Sequence, residues 1–285
     1  MVAAAPSVPV APIAKAWEVG AAWETHRLIV QNDLAGAANN KLLNQLFAYV
    51  RYELGSRDAL ELRAWFYQRL LADPGETGLR SDDLTLYYAH YFKGLGPISG
   101  RVFANLTAPT SFSSRLASSY TSPRLGTAWQ YQVGRWTASI IGMGDYYWVK
   151  YSSMAGGNPN AKAHVGLIAE AECALTPTLA IGATAVGHRY WFYEARGDPS
   201  VNSTFFGAVD DPQFRTQPVQ GSYGYQVFGR YTLPTQRGVA TDITLAYGQG
   251  DPTLGYTSSL HDGLSHFYWF WRQSSQVYAA VSVKY

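Results

Sequence analysis

Residues 44–71 read NQLFAYVRYEL-GSRD-ALELRAWFYQRLL. In the first half Leu46, Ala48, Val50, Tyr52 and Leu54 share one parity, and Gln45, Phe47, Tyr49, Arg51 and Glu53 share the other. Successive side chains of a strand point to opposite faces, so this is a strand with one apolar face and one polar, aromatic face. Gly55-Ser56-Arg57-Asp58 has the composition of a tight turn. The pattern then resumes, with Leu60, Leu62, Ala64 and Phe66 set against Glu61, Arg63, Trp65, Tyr67 and Arg69. The unit is an antiparallel hairpin whose strands are about ten residues long, the length a tilted strand needs to cross a bilayer.

Working outward, the same alternation recurs over about 16–26, 82–93, 101–108, 124–133, 136–151, 163–175, 179–193, 222–233, 239–249 and 266–285, giving about twelve strands. Facing is least clear in 136–151. Turning Trp136, Ala138, Ile140, Tyr146 and Trp148 outward leaves Ser139 and Asp145 inward. Connections alternate in length. Those at 27–43, 72–81, 109–123, 152–162, 194–221 and 250–265 are long; those at 55–58, 94–100, 134–135, 176–178 and 234–238 are short. Outer-membrane barrels pair short periplasmic turns with longer extracellular loops and an even strand count. Both ends of the chain then fall on the periplasmic side.

Composition agrees. Charged residues make up 15% of the 285, well under the roughly 25% of soluble domains, while aromatics reach 15%. No run approaches the roughly 20 apolar residues of a membrane helix. Trp17, Trp23, Tyr52, Trp136, Trp148, Trp191, Tyr231, Trp269, Trp271 and Tyr285 lie near strand ends, where a ring can sit in lipid and its polar handle in water. A soluble β-sandwich would alternate similarly but carry shorter strands and more charge on its outer faces. In hydrocarbon every backbone N–H and C=O needs a partner, so the sheet must close on itself. The expected fold is all-β: a closed antiparallel up-and-down transmembrane β-barrel of about 12 strands over 16–285, after a flexible periplasmic tail at 1–15. That tail lacks the pattern of an intact signal peptide. The single cysteine, Cys173, excludes an internal disulfide, and a net charge of +2 argues against nucleic-acid binding.

The terminal run Gln276-Val277-Tyr278-Ala279-Ala280-Val281-Ser282-Val283-Lys284-Tyr285 resembles the C-terminal assembly signal of bacterial outer-membrane β-barrel proteins, with Tyr285 last and Val283 and Val281 before it. The resemblance implies a Gram-negative outer membrane, insertion by its assembly machinery, and contact with lipid and lipopolysaccharide. It identifies an architecture and no individual function. The absence of a passenger segment in the sequence speaks against an autotransporter.

The inward parity collects charges of both signs. Toward the periplasmic half these are Glu18, Arg51, Glu53, Glu61, Arg63, Arg101, Glu170, Glu172, Arg230 and Asp242, taken here as the candidate lumen-lining residues. Further inward charges are Glu24, Arg69, Asp83, Asp145, Arg272 and Lys284. A selective pore favours rings of one sign, whereas mixed charges at close quarters pair. The expectation is an Arg/Glu network that narrows or plugs the periplasmic half; the alternative is charges lining an open channel without touching. Inward Tyr49, Trp65, Tyr67, Tyr87, Tyr91, Tyr190, Phe228, Tyr268, Phe270 and Tyr278 either fill volume or stack on sugars and other amphipathic solutes.

Some twelve-stranded outer-membrane barrels are lipid hydrolases, and the phospholipase among them places His two residues before a nucleophilic Ser. None of the six histidines here has Ser at that offset, and Asn32-Asp33 is only a faint likeness to the acidic start of the deacylase. No nucleophile with a base can be assembled, and His164 and His188 read as ordinary lumen or rim residues. Asp198, Asp210 and Asp211 match no EF-type calcium loop. No catalytic residue, metal or cofactor is expected. The favoured function is a channel or facilitator for a small hydrophilic solute. Its competitor is a non-conducting structural or interaction barrel in a surface or secretion assembly, using the loops at 109–123 and 194–221. A lipid hydrolase ranks last.

Overall fold

The computed structural model describes residues 17–28, 42–69, 79–93, 96–153, 160–193, 219–250 and 275–285. Fourteen strands and one short helix run in the order β1 (Trp17–Leu28), β2 (Leu42–Glu53), β3 (Asp58–Arg69), β4 (Leu79–Ser81), β5 (Leu84–Lys93), β6 (Ile98–Ala108), α1 (Phe112–Leu116), β7 (Ser119–Val133), β8 (Trp136–Tyr146), β9 (Trp148–Val149), β10 (Ala161–Ala174), β11 (Leu179–Phe192), β12 (Val219–Gln236), β13 (Val239–Gly250) and β14 (Ser275–Lys284). Among the described residues every pairing is antiparallel. β14 pairs with both β13 and β1, which closes the ring. Twelve strands form the wall; β4 adds a short pairing to β3, and β9 to β7. At the seam Tyr285 exchanges both backbone hydrogen bonds with Val19, at 3.1 and 2.9 Å, so the last residue is tied in.

Burial is the inverse of a soluble protein's. Large apolar side chains are exposed all along the wall strands: Leu125 is 69% exposed, Trp17 60% and Leu245 64%. The buried ones include Glu24, Gln45, Glu61, Asn105, Asp145, His164, Thr184 and Gln226. A continuous apolar exterior costs free energy in water and none in hydrocarbon, so the solvent of the outer face is lipid.

The short turns have local causes. Gly134 adopts a φ of 55° in the two-residue link from Val133 to Trp136. Only glycine takes that conformation freely, and the resulting twist suits a hairpin. At the next such link Arg237 and Gly238 both have positive φ, 50° and 81°, the type I′ arrangement.

Several boundaries differ from expectation. The turn expected at 234–238 is shorter, because β12 continues through Pro234 to Gln236. Pro234 lacks an N–H, and the register shift between Leu233 and Gln236 accommodates it. β7 begins at Ser119, not near 124, and α1 occupies part of the loop expected at 109–123. The strand expected over 136–151 is broken at Tyr147 into β8 and β9. Residues 1–16 and 266–274, including Tyr268, Phe270 and Arg272, lie outside the described residues, as do the side chains of Arg69 and Tyr278.

Candidate lumenal site

Because every strand-to-strand register is defined, the inward side chains can be read as rows around the wall. One row begins at Glu18, near the start of β1, and runs through directly paired residues Arg51, Glu61, Tyr87, Asn105, Arg124, Asp145 and His164 to Tyr190. Strands tilt relative to a barrel's axis, so a row perpendicular to them climbs the wall. It starts near the short turns on β1 and arrives near the long connections on β11.

The expected periplasmic charges lie on the inward parity. Glu18 accepts from the Tyr49 hydroxyl at 2.8 Å and pairs with Lys284 at 2.6 Å. Arg51 pairs with Glu53, and Arg63 with Glu61, each at 2.6 Å along one strand. The two guanidiniums also lie over rings: Arg51 at 5.0 Å from the Tyr91 centroid, Arg63 at 3.8 Å from that of Tyr87. Arg230 on β12 reaches past β11 to pair with Glu172 on β10. Glu170 accepts from Thr184 at 3.2 Å, and Asp242 from Thr232 at 2.5 Å. Arg101 stands apart: its Nε is buried and has no partner among the described residues. Each of these pairs joins one strand to itself, to its neighbour or to the next but one. Apart from Arg101, these charges therefore find their partners along the wall.

Glycines make room for the inward rings. Gly20 stands opposite Tyr49, Gly126 opposite Phe103, and Gly182 opposite Phe228. In each case a Cβ on the glycine would meet the ring at 2.3 or 2.4 Å, so the rings lie flat on bare backbone.

A second polar group lies farther along the climbing row. Asp145, buried, accepts from Arg124 Nε at 2.5 Å and lies 2.5 Å from His164 Nδ1. His164 Nε2 is 2.7 Å from His188 Nδ1, and the His164 ring stacks on Tyr190 at 4.4 Å and 23°. Asp145 thus fixes the orientation of one histidine, which orders the next. Sequence alone puts Asp145 inward, leaves Arg124 off the inward list and gives both histidines an ordinary lumen or rim place. The parity of 124 against Leu125 was a signal for the first; the pairing across four strands had none.

Asp83, expected as a lumen acid, instead serves α1. Its carboxylate accepts from Ser111 N at 2.7 Å and from the Ser114 hydroxyl, while Ser111 Oγ caps the helix by accepting from Ser114 N at 3.1 Å. Its neighbour Asp82 lies beyond the strand, where burial, with Asp83 beside it, pushes its carboxyl above the usual range. Asp198, Asp210 and Asp211 lie outside the described residues.

A cavity of about 860 Å³ opens on the inner wall toward the short-turn end, lined by Tyr91, Arg101, Ser139, Ile141, Glu170 and Arg230 among others.

This architecture defines the class: a closed antiparallel β-barrel whose outer wall is apolar, the build of a barrel that spans a membrane. No family model matches the chain, and no curated protein does. Among solved structures the chain is similar to an outer-membrane channel from Pseudomonas putida F1, with 12% identity over 95% of this chain and 96% of that one and a TM-score of 0.57. It is also similar to the NanC porin, with 7% identity over 95% of this chain and 99% of that one and a TM-score of 0.52. At these identities the likeness is one of fold.

Proposed function

We propose that the protein is a passive, non-enzymatic channel for small hydrophilic solutes across the outer membrane, narrowed in its periplasmic half by the Arg/Glu network. The observation that carries this reading is a polar inner wall whose charges pair along the wall beside a cavity of about 860 Å³. The channel and porin among the similar structures support it. Partners on this reading are the solute, membrane lipid, lipopolysaccharide and the assembly machinery. Liposome swelling with sugars of graded size, together with planar-bilayer conductance, tests it. Swelling that falls off over the smallest sugars, with a small conductance, is expected. A large, steady, ohmic conductance would remove the narrowing, and no conductance would remove the channel.

One observation favours a second reading, an interaction barrel. At the long-connection end Asn160, only 1% exposed, donates to Ala117 O at 2.9 Å and Tyr151 O at 2.8 Å, and Lys150 N donates to Ser118 O at 2.9 Å. These bonds bind two connections into one platform. Specific capture of a surface protein that is lost in Asn160→Ala, by a barrel that does not conduct, would support it.

A further inference from the structure

The inner wall is not uniformly polar. The row Lys93, Ser99, Gln130, Ser139, Glu170, Thr184 and Gln226 is wholly polar, and the row Tyr87, Asn105, Arg124, Asp145 and His164 is too. Between them lie two rows of another character. One carries Ala89, Phe103, Gly126 and Met143; the other carries Ala128, Ile141, Ile168 and Val186 beyond Arg101. Phe103 and Val186 are buried, and Ile141 and Met143 pack against the Tyr87–Phe103 cluster. A water-filled pore gains nothing from an apolar band, and apolar surface facing water costs roughly 25 cal/mol per Å².

Polar atoms without partners border this band. The Tyr87 hydroxyl, Asn105 Oδ1 and Arg101 Nε are all buried and unpartnered among the described residues, with Tyr87 and Asn105 only 4% and 8% exposed. Leaving a buried polar atom unsatisfied costs about 1–3 kcal/mol. Arg101, Phe103 and Asn105 alternate along the inner face of β6, so a donor, an apolar plate and an acceptor follow one another at intervals of roughly 7 Å. Arg101 and Ile141 line the same cavity. They are separated by one strand and sit in one row, so their Cα atoms are about 10 Å apart. The acids of that cavity are already engaged, Glu172 by Arg230 and Glu170 by Thr184, whereas Arg57, Lys93 and Arg101 leave an excess of positive charge. The volume is in the ordinary range of small-molecule sites.

We propose that this stretch of wall is a binding station for a small amphipathic carboxylate, its anionic group on Arg101 and its apolar body on Ile141 and Ala128, where the apolar band meets the cavity. The station rests on the channel reading for its use, since it would draw one solute class into a narrow lumen, but its binding is measured independently.

The probes are benzoate, acetate and benzyl alcohol, titrated by calorimetry into the detergent-folded protein, whose folding is checked by heat-modifiable electrophoretic mobility. Benzoate is expected to bind saturably, and the other two about tenfold or more weakly, because each lacks one of the two contacts. Arg101→Gln and, independently, Ile141→Thr should each weaken benzoate; the second variant decides should the first not fold. Equal binding of acetate and benzoate, indifference to both variants, or no binding by the folded wild type would each overturn the station. Bilayer conductance of the same preparation separates the two claims. Binding without conductance overturns the channel and keeps the station; conductance without binding does the reverse.

Discussion

Gly166 on β10 stands directly opposite His188 on β11, and a Cβ at Gly166 would come within 2.9 Å of His188 Nδ1. That nitrogen is held 2.7 Å from His164 Nε2, so the ring cannot swing aside without breaking the contact. Gly166→Ala is therefore expected to destabilise the barrel by about 1–2 kcal/mol, the lower part of the overpacking range. Urea unfolding in detergent, followed by tryptophan fluorescence, measures it.

Gly126→Ala should cost more, about 2–3 kcal/mol. Its Cβ would meet not only Phe103 Cζ at 2.3 Å but also the backbone oxygen of Gly142 at 2.7 Å, and backbone cannot rotate away. In a Phe103→Ala background the cost should shrink but not vanish, a non-additivity that a double-mutant cycle reads directly.

Asp145 joins two elements of the inner wall, accepting from Arg124 and facing His164. Asp145→Ala strands a guanidinium and an imidazole, and should lower unfolding stability by about 2 kcal/mol. Asp145→Asn, which retains one acceptor oxygen, should lose less. Equal losses would show that the carboxylate's charge, and not its hydrogen bonding, holds the group together.

Asp82 supplies a pH dependence. Burial raises its folded carboxyl pKa above the unfolded value, so the native state holds this proton more tightly. Stability from this group is thus greatest below the unfolded pKa and falls as pH rises through the folded one. Asp82→Asn should be more stable than wild type at pH 7, with the difference closing toward pH 4. Paired urea titrations at the two pH values measure this.

Arg230 and Glu172 pair within the cavity wall. Arg230→Ala leaves the carboxylate uncompensated and removes a long side chain from the lumen. Single-channel conductance should rise, and the reversal potential in a KCl gradient should move toward cation preference. An unchanged reversal potential would place the pair away from the ion path.

The alternation of apolar and polar residues along each strand is a local property with a period of two, so residues 44–71 alone disclosed the hairpin, its lipid face and its lumen face. The same rule assigned the ambiguous segment around Trp136, where Ile140 is exposed and Asp145 is buried. Parity says which face a side chain occupies but not whom it meets, because register depends on every turn and bulge between distant segments. The Asp145–His164–His188 series, the flat seating of Phe103 on Gly126 and the apolar band between two polar rows belong to the register of six adjacent strands. Likewise Asp83 shows the right parity for the lumen, yet it holds Ser111 and Ser114 at the start of a helix that no strand pattern announces. Sequence determined the barrel and its two faces because hydrocarbon imposes that choice residue by residue; closure of the ring decided which inward groups become neighbours.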